Sequence, residues 1–132
     1  MNDTRFVNVT AQSARNALAS DVVVTGDLAF ISGVRPIDIN NDRTPLPEKV
    51  EAQVDKVFAN LDVILQAAGL LRANIVSARV YLIDFERLFD RMNSAYLRNI
   101  GASRLPARTC VGVARLTRGA QVEMEFVVRV GD

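Results

Sequence analysis

One stretch near the C-terminus constrains the fold more than any other, because it alternates cleanly between apolar and polar side chains. From Gln121 to Val130 every second residue is apolar, which is the period of a β-strand with one buried face. Glu123 and Glu125 therefore point together to the other face. Such a strand requires a sheet whose one face packs on a core while its other face carries charge.

The chemistry of the chain is concentrated just upstream, between Leu105 and Leu116. This stretch holds the only cysteine, Cys110, together with Arg108. Alternation resumes at Val111, and the Gly-bearing segment 117–120 then leads into the C-terminal strand. The sequence predicts an antiparallel hairpin here, in which an arginine and a glutamate face one another across the sheet.

The first part of the chain has the pattern of strands and loops. Short β-branched and aromatic runs around a Gly-bearing turn predict strands, and polar stretches rich in Pro, Asn and Asp predict loops. The predicted segments are an edge strand at Phe6–Val9, a loop at Thr10–Ser20, hairpin strands at Val22–Val24 and Leu28–Ile31 around Gly26, and a surface loop at Asp38–Pro47.

Two later segments have helical spacing. Apolar residues recur with the helical period from Glu48 to Ala68, and Gly69 follows as a stop. Ile75–Ile83 alternates as a strand, and Asp84 can cap a second helix that runs to Ile100. The element order predicts an α+β fold with both helices packed on one face of the sheet.

The opposite face of that sheet has no cover within the chain. With 132 residues and 49% hydrophobic content, the chain suffices for one domain, residues 1–132, with one core. Small or apolar side chains are left over, namely Cys110, Gly112 and Ala114, and they indicate burial against another subunit. We therefore expect a homo-oligomer.

Composition excludes several classes of function. The net charge is +1, from 16 basic and 15 acidic residues, which gives no electrostatic footprint for nucleic acid or anionic lipid. Because the chain has no histidine and one cysteine, it offers no tetrahedral zinc site, no Ser-His or Cys-His nucleophile pair and no intrachain disulfide. No apolar run reaches membrane-spanning length. We expect a cytoplasmic protein that binds a small partner.

Several groups of residues also form recognisable motifs. They are Ile31-Ser32-Gly33, Gln66–Leu70, Asn93–Tyr96, and above all Pro106–Val111 with its continuation through Val113–Leu116 and Val122–Glu125. From about Val22 onward these motifs resemble the reactive-intermediate deaminase family, also called Rid or YjgF-like. The resemblance implies a chorismate-mutase-like fold, a trimer with three sites between subunits, and cofactor-free hydrolysis of enamines or imines to 2-keto acids and ammonia.

The resemblance also implies roles for single residues. It makes Arg108 the clamp on the substrate carboxylate, which suits a planar guanidinium, and Glu123 the acid that positions the attacking water. Each residue also has a purely structural interpretation. In it, Arg108 is salt-bridged within the hairpin, and Glu123 is a sheet-face acid paired to a basic residue. Glu125 matches a position without a clear catalytic role.

Further positions line the site if the resemblance holds. Cys110 corresponds to a wall of the pocket, because no histidine is present to activate its thiol. Ser32 and Gly33 match a turn beside the substrate, and Asn93 matches a nearby polar position. The alternatives are a plain strand-end turn and a local hydrogen bond on a helix.

The chain departs from the family's pattern in two places. The archetypal branch has Gly-Pro-Tyr before its first hairpin, where this chain has Ala17-Leu18-Ala19, so the active-site tyrosine is missing. Arg15 lies close to that position, and Arg35 brings a second cation into a segment where the family has a neutral amide. Arg108 together with Arg15 or Arg35 would suit a dicarboxylate or another larger anion better than 2-aminoacrylate.

Three functions follow from these observations. The first is an enamine/imine deaminase, a hydrolase acting on C=N bonds. The second is a trimer that binds a carboxylate metabolite, or acts as a regulator, without turnover. A ribonuclease or translation inhibitor, also reported in the family, ranks third. The near-neutral charge and 6% aromatic content supply few side chains for phosphate neutralisation and base stacking.

Overall fold

The computed structural model describes residues 4–9, 18–41 and 43–131. These residues form one mixed sheet in the order β1-β2-β3-β6-β4-β5, with two helices. The strands are β1 Thr4–Val7, β2 Val22–Thr25, β3 Leu28–Val34, β4 Ile75–Leu82, β5 Ala107–Gly112 and β6 Val122–Arg129, and the helices are α1 Val50–Ala68 and α2 Phe85–Ile100. The predicted α+β fold is confirmed.

The first hairpin and the first helix follow from the sequence. β2 and β3 pair antiparallel around Gly26, whose φ of 59° is a conformation that glycine adopts without strain. α1 ends where predicted, at Gly69, which takes the left-handed conformation with φ 72°. β1 is an edge strand paired with β2. Most of the predicted loop, residues 10–17, lies outside the described residues.

Asp84 lies at the start of the second helix, as predicted, but its side chain does not make the cap. It occupies the N-cap position with φ 46°, and its side chain makes no cap hydrogen bond. The carboxylate instead accepts a hydrogen bond from the Arg87 guanidinium. The backbone carbonyl of Asp84 accepts the N–H groups of Arg87 and Leu88. The predicted side-chain cap is therefore wrong, because Arg87 engages the carboxylate.

The hairpin predicted from Val111 to Val130 is also wrong. β5 ends at Gly112 and pairs in parallel with β4, while β6 runs antiparallel between β3 and β4. A parallel pair needs a crossover connection, which α2 supplies. Because β6 presents an apolar face along its whole length, it takes a central place with neighbours on both edges. Alternation identified the strand and its buried face but not its partner.

The helices cover one face of the sheet and leave the other uncovered. The covered face of β6 is Val122, Met124, Phe126 and Val128, none more than 2% exposed. We call the uncovered side of the sheet the open face. It carries Glu123 and Glu125 of β6. The apolar side chains of Leu28 and Phe30 also lie on it and are 39% and 45% exposed. This arrangement confirms the predicted two-layer packing.

Neither helix of the described segments is long and apolar enough to cross a bilayer.

Candidate functional site

The predicted site residues form two clusters on opposite faces of the sheet. Arg108 of β5 lies opposite Ala78 of β4, which is 1% exposed in the core beneath the helices. Glu123 of β6 lies opposite Tyr81, which belongs to the open face. Since directly opposed residues share a face, Arg108 and Glu123 leave the sheet in opposite directions.

The predicted pairing of an arginine and a glutamate across the hairpin is therefore wrong. The arginine that does face a glutamate across the sheet is Arg79 of β4, which lies opposite Glu125 with a guanidinium nitrogen 3.4 Å from the carboxylate. Arg108 is two strands away from β6 and on the other face. Within one protomer, Arg108 and Glu123 cannot contact the same small molecule.

The arginine cluster consists of Arg108, Asn93, Tyr96 and Cys110. Arg108 Nη2 donates a hydrogen bond of 2.6 Å to Asn93 Oδ1, and the guanidinium carbon lies 4.7 Å from the centroid of the Tyr96 ring. Asn93 and Tyr96 are three residues apart on α2, so both side chains reach the same strand. A guanidinium has five N–H donors, and these contacts orient Arg108 while leaving donors for a carboxylate.

Tyr96 is the member of this cluster that sequence reasoning missed. Tyr96 belonged to a motif on the predicted second helix but was given no role in the site, and in the structure it is 4% exposed. Its hydroxyl is buried without a hydrogen-bond partner among the described residues, so the contribution of Tyr96 comes from the ring. An aromatic face beneath a guanidinium stabilises the cation and restricts its orientation. The Asn-x-x-Tyr spacing was the available signal.

Cys110 follows Arg108 on the same side of β5. Its side chain is partly buried and packs against the core. Burial raises the pKa of the Cys110 thiol, and the nearby Arg108 opposes this shift. A thiol kept protonated is a poor nucleophile. The expectation that Cys110 is left over for burial against another subunit is wrong, because its side chain packs on the core beneath the helices; its role as a wall of the pocket stays a prediction.

The glutamate cluster lies on the open face and joins Glu123 to Gly33 and Arg35, and Ser32 is the residue before Gly33 in the chain. Glu123 Oε2 occupies the space above Gly33, where an added Cβ would stand only 2.1 Å away. Burial raises the pKa of the Glu123 carboxyl, with a further increase from the charge of Glu125, while Arg35 lowers it. A carboxylate in this setting is a stronger base than one exposed to water.

Hydrogen bonds hold Ser32 and Arg35, which lie on either side of Gly33 in the chain. Ser32 Oγ donates to the Ser20 carbonyl at 2.6 Å, which ties the turn to the segment before β2. Arg35 Nη1 donates to Thr117 Oγ1 at 3.4 Å. Arg15 lies outside the described residues. The positive charge of Arg35, the other extra cation singled out in the sequence, acts on Glu123.

The contact between Gly33 and Glu123 leads to a stability prediction. In Gly33→Ala the Glu123 carboxylate, the flexible end of its side chain, must move away from the new methyl group, so we expect about 0.5–1.5 kcal/mol of destabilisation, the cost of an off-rotamer side chain. Glu123→Ala should remove the conflict, so the double variant should lose much less stability than the sum of the single variants. Chemical denaturation of the four proteins measures this coupling. Additive effects would show that the two residues do not meet.

Two further residues of the open face were not assigned to the site from the sequence. The Tyr81 hydroxyl donates to Glu125 Oε1, and Arg79 Nη1 lies 3.4 Å from the same oxygen. Because successive side chains of a strand alternate, the prediction of a strand over Ile75–Ile83 is consistent with Arg79 and Tyr81 on one side. Their partners could not be read from the sequence, because it did not show that β4 lies next to β6.

In the described part of the chain, no group of metal-binding side chains accompanies the two clusters, and one cleft lies elsewhere. Among the described residues no three His, Cys, Asp or Glu side chains are grouped so as to hold a metal ion. A cleft of about 260 Å³ lies at the end of α2 and contains none of the predicted site residues. It is lined by Arg72, Ala73, Ile75, Ile100, Ser103, Arg104 and Pro106.

The fold and the clusters define a class of protein: a small α+β domain with an oriented arginine on a strand and a partly buried acid on the open face. The sequence model of the family described as Endoribonuclease L-PSP matches residues 10–130. A RutC family protein of Aquifex aeolicus is 38% identical over 111 residues, which cover 82% of this chain and 85% of that protein. The chain belongs to the YjgF/Rid family.

Two further relatives show the range within this family. A protein of Dermatophagoides farinae named 2-iminobutanoate/2-iminopropanoate deaminase is 29% identical over 110 residues, 83% of each chain. The crystal structure of the Rid family protein YyfA of Yersinia pestis, described as of unknown function, superposes with a TM-score of 0.85 at 27% identity, over 97% of this chain and all of that one. Family membership therefore includes an imine deaminase without fixing one activity.

Proposed function

We propose that the protein is an enamine/imine deaminase, which hydrolyses reactive 2-imino acids and their enamine tautomers to 2-keto acids and ammonia. The observation that carries this proposal is the presence of the two clusters, one with an oriented arginine and one with a partly buried glutamate of raised pKa. The relative named as an imine deaminase supports the reaction type.

These groups suffice for the chemistry of the proposed reaction. Arg108 holds the substrate carboxylate through parallel hydrogen bonds. Glu123 accepts a proton from water as the water oxygen adds to the C=N carbon and the electron pair of the double bond moves to nitrogen, which gains a proton. The hydroxyl proton of this adduct then passes to nitrogen as the C–N bond breaks and a C=O bond forms, so ammonia leaves and a keto acid remains; the proton that Glu123 took from water balances the one that nitrogen first gained. Neither oxidation nor reduction occurs.

The two clusters also support a site shared between copies of the chain. Since Arg108 and Glu123 leave opposite faces of one sheet, a substrate that contacts both must lie between two protomers. We place Arg108 of one protomer against Glu123 of the next in a homotrimer, the assembly implied by the resemblance. Leu28 and Phe30 add exposed apolar surface on the open face, which suits burial against another subunit.

Arg35 supports a larger substrate than 2-aminoacrylate. Its positive charge acts on Glu123, so a substrate whose reacting carbon lies beside Glu123 would have a second cation within reach. A second carboxylate on the substrate would be attracted there, whereas a small apolar side chain would gain nothing. The proposed substrate class is therefore the imines of dicarboxylic amino acids or other larger anionic imines.

The direct test is a rate measurement on imines generated in the assay by an amino-acid oxidase. We expect the protein to accelerate keto-acid formation, with a higher kcat/KM for an imine that carries a second carboxylate. Equal rates with and without protein across the panel, combined with saturable keto-acid binding, would replace this proposal by a non-catalytic carboxylate-binding function. The family's endoribonuclease description gains no support from this chain, which has a net charge of +1 and no histidine.

A further inference from the structure

A second acid lies beside Glu123, and its position is fixed by two donors. Glu125 is two residues further along β6, on the same open face. The Tyr81 hydroxyl donates to Glu125 Oε1, and Arg79 Nη1 lies 3.4 Å from the same oxygen. Both donors come from β4, so they hold the Glu125 carboxylate over that strand.

The Glu123 side chain points away from β4, whereas the Glu125 side chain points towards it. Tyr81 lies directly opposite Glu123, yet its hydroxyl reaches diagonally to Glu125. The Glu123 carboxylate instead turns towards β3 and lies over Gly33. The open face therefore carries one acid bound by donors and a neighbouring acid left available for water.

We propose that Tyr81 and Arg79 are positioning residues that hold Glu125 as a fixed negative charge, and that this charge sets the pH range over which Glu123 accepts a proton from water. The inference rests on the proposed role of Glu123 as general base. It goes beyond that role because it gives Tyr81, Arg79 and Glu125 a part in the reaction, although none of them contacts the substrate.

The electrostatics around Glu123 agree with this geometry. Burial is the largest cause of the raised pKa of Glu123. Within one protomer, the charged groups of the described residues that act on it are Arg35 from the end of β3, which lowers the pKa, and Glu125, which raises it. In the proposed trimer, Arg108 of the neighbouring protomer adds a positive charge that lowers this pKa in wild type and variants alike. The hydrogen bond to Glu125 also raises the pKa of Tyr81, so the phenol keeps its proton and remains a donor. A negative charge beside a carboxylate makes it a stronger base.

The test compares pH profiles of kcat/KM for the full-length protein and three variants. The acidic limb is the part of the profile in which kcat/KM rises with pH as Glu123 ionises. Glu125→Gln should move this limb to lower pH by on the order of half to one pH unit, because the negative charge beside Glu123 is lost. Tyr81→Phe removes one of the two donors that hold Glu125 without changing any charge, so it should move the limb in the same direction by a smaller amount. Glu86→Gln, an exposed acid in the first turn of α2, removes the same charge elsewhere and should leave the limb in place.

A purely structural role would lower activity at every pH without moving the limb. NMR titration of the side-chain carboxyl carbons provides a readout that does not need turnover. Equal Glu123 midpoints in wild type and Glu125→Gln would overturn the inference, and if that variant does not fold, an unmoved midpoint in Tyr81→Phe would do so. Absence of imine turnover in wild type contradicts the proposed function instead, and the NMR midpoints still decide whether the two acids are coupled.

Discussion

Replacement of Arg108 by alanine is expected to weaken keto-acid binding by a factor of roughly thirty to several thousand. Truncating one partner of a desolvated, hydrogen-bonded charge pair costs about 2–5 kcal/mol. Arg108 is prepared for such a pair, because Asn93 and Tyr96 fix its guanidinium before a ligand arrives. Calorimetric titration of the full-length protein with a 2-keto acid measures the loss, and imine turnover should fall with it.

Two further variants separate charge from geometry in this prediction. Arg108→Lys keeps the charge but loses the planar fork, so it should recover only part of the affinity. Arg87→Ala removes an exposed arginine of α2 that pairs with Asp84, and it should bind like wild type. Wild-type affinity in Arg108→Ala would show that the carboxylate is held elsewhere.

Replacement of Glu123 by glutamine is expected to slow imine hydrolysis about 10²- to 10⁴-fold, the range of general acid–base assistance. The amide has nearly the same shape above Gly33 but cannot accept a proton from water. Keto-acid affinity should change little, since Arg108 supplies the main attraction. Stopped assays of keto-acid formation and a parallel calorimetric titration distinguish these two effects.

The appropriate comparison for this variant is Glu86→Gln, which makes the same chemical change on an exposed surface of α2. We expect its rate to match wild type. The wild-type rate should also rise with pH through the raised pKa of Glu123, because only the ionised carboxylate acts as a base. A Glu123→Gln protein as fast as wild type would remove this residue from the mechanism.

The sequence was sufficient to predict the elements that local patterns determine. The alternation of Gln121–Val130 identified β6 and placed Glu123 and Glu125 on one face, as the structure has them. The helical period and Gly69 located the end of α1. In each case the signal lies within a few residues of the chain: the spacing of apolar residues, or a glycine that adopts the left-handed conformation.

Strand partners depend on the whole sheet, and here the sequence was insufficient. A short connection between β5 and β6 suggested a hairpin, but β4 lies between them. That error placed Arg108 opposite a glutamate, whereas the parallel register sends it beneath α2 to Asn93 and Tyr96. The contacts of Tyr81 and Arg79 with Glu125 were hidden for the same reason, because no local pattern pairs β4 with β6.

The central claim, that a working site combines Arg108 of one protomer with Glu123 of another, is tested most directly by mixing two inactive variants. Arg108→Ala and Glu123→Gln chains are unfolded together, refolded at equal amounts, and checked for mixed oligomers by native mass spectrometry. In a cyclic trimer with random mixing, about a quarter of the interfaces regain both residues, so about a quarter of wild-type activity should return. Mixed oligomers as inactive as either parent would contradict the shared site.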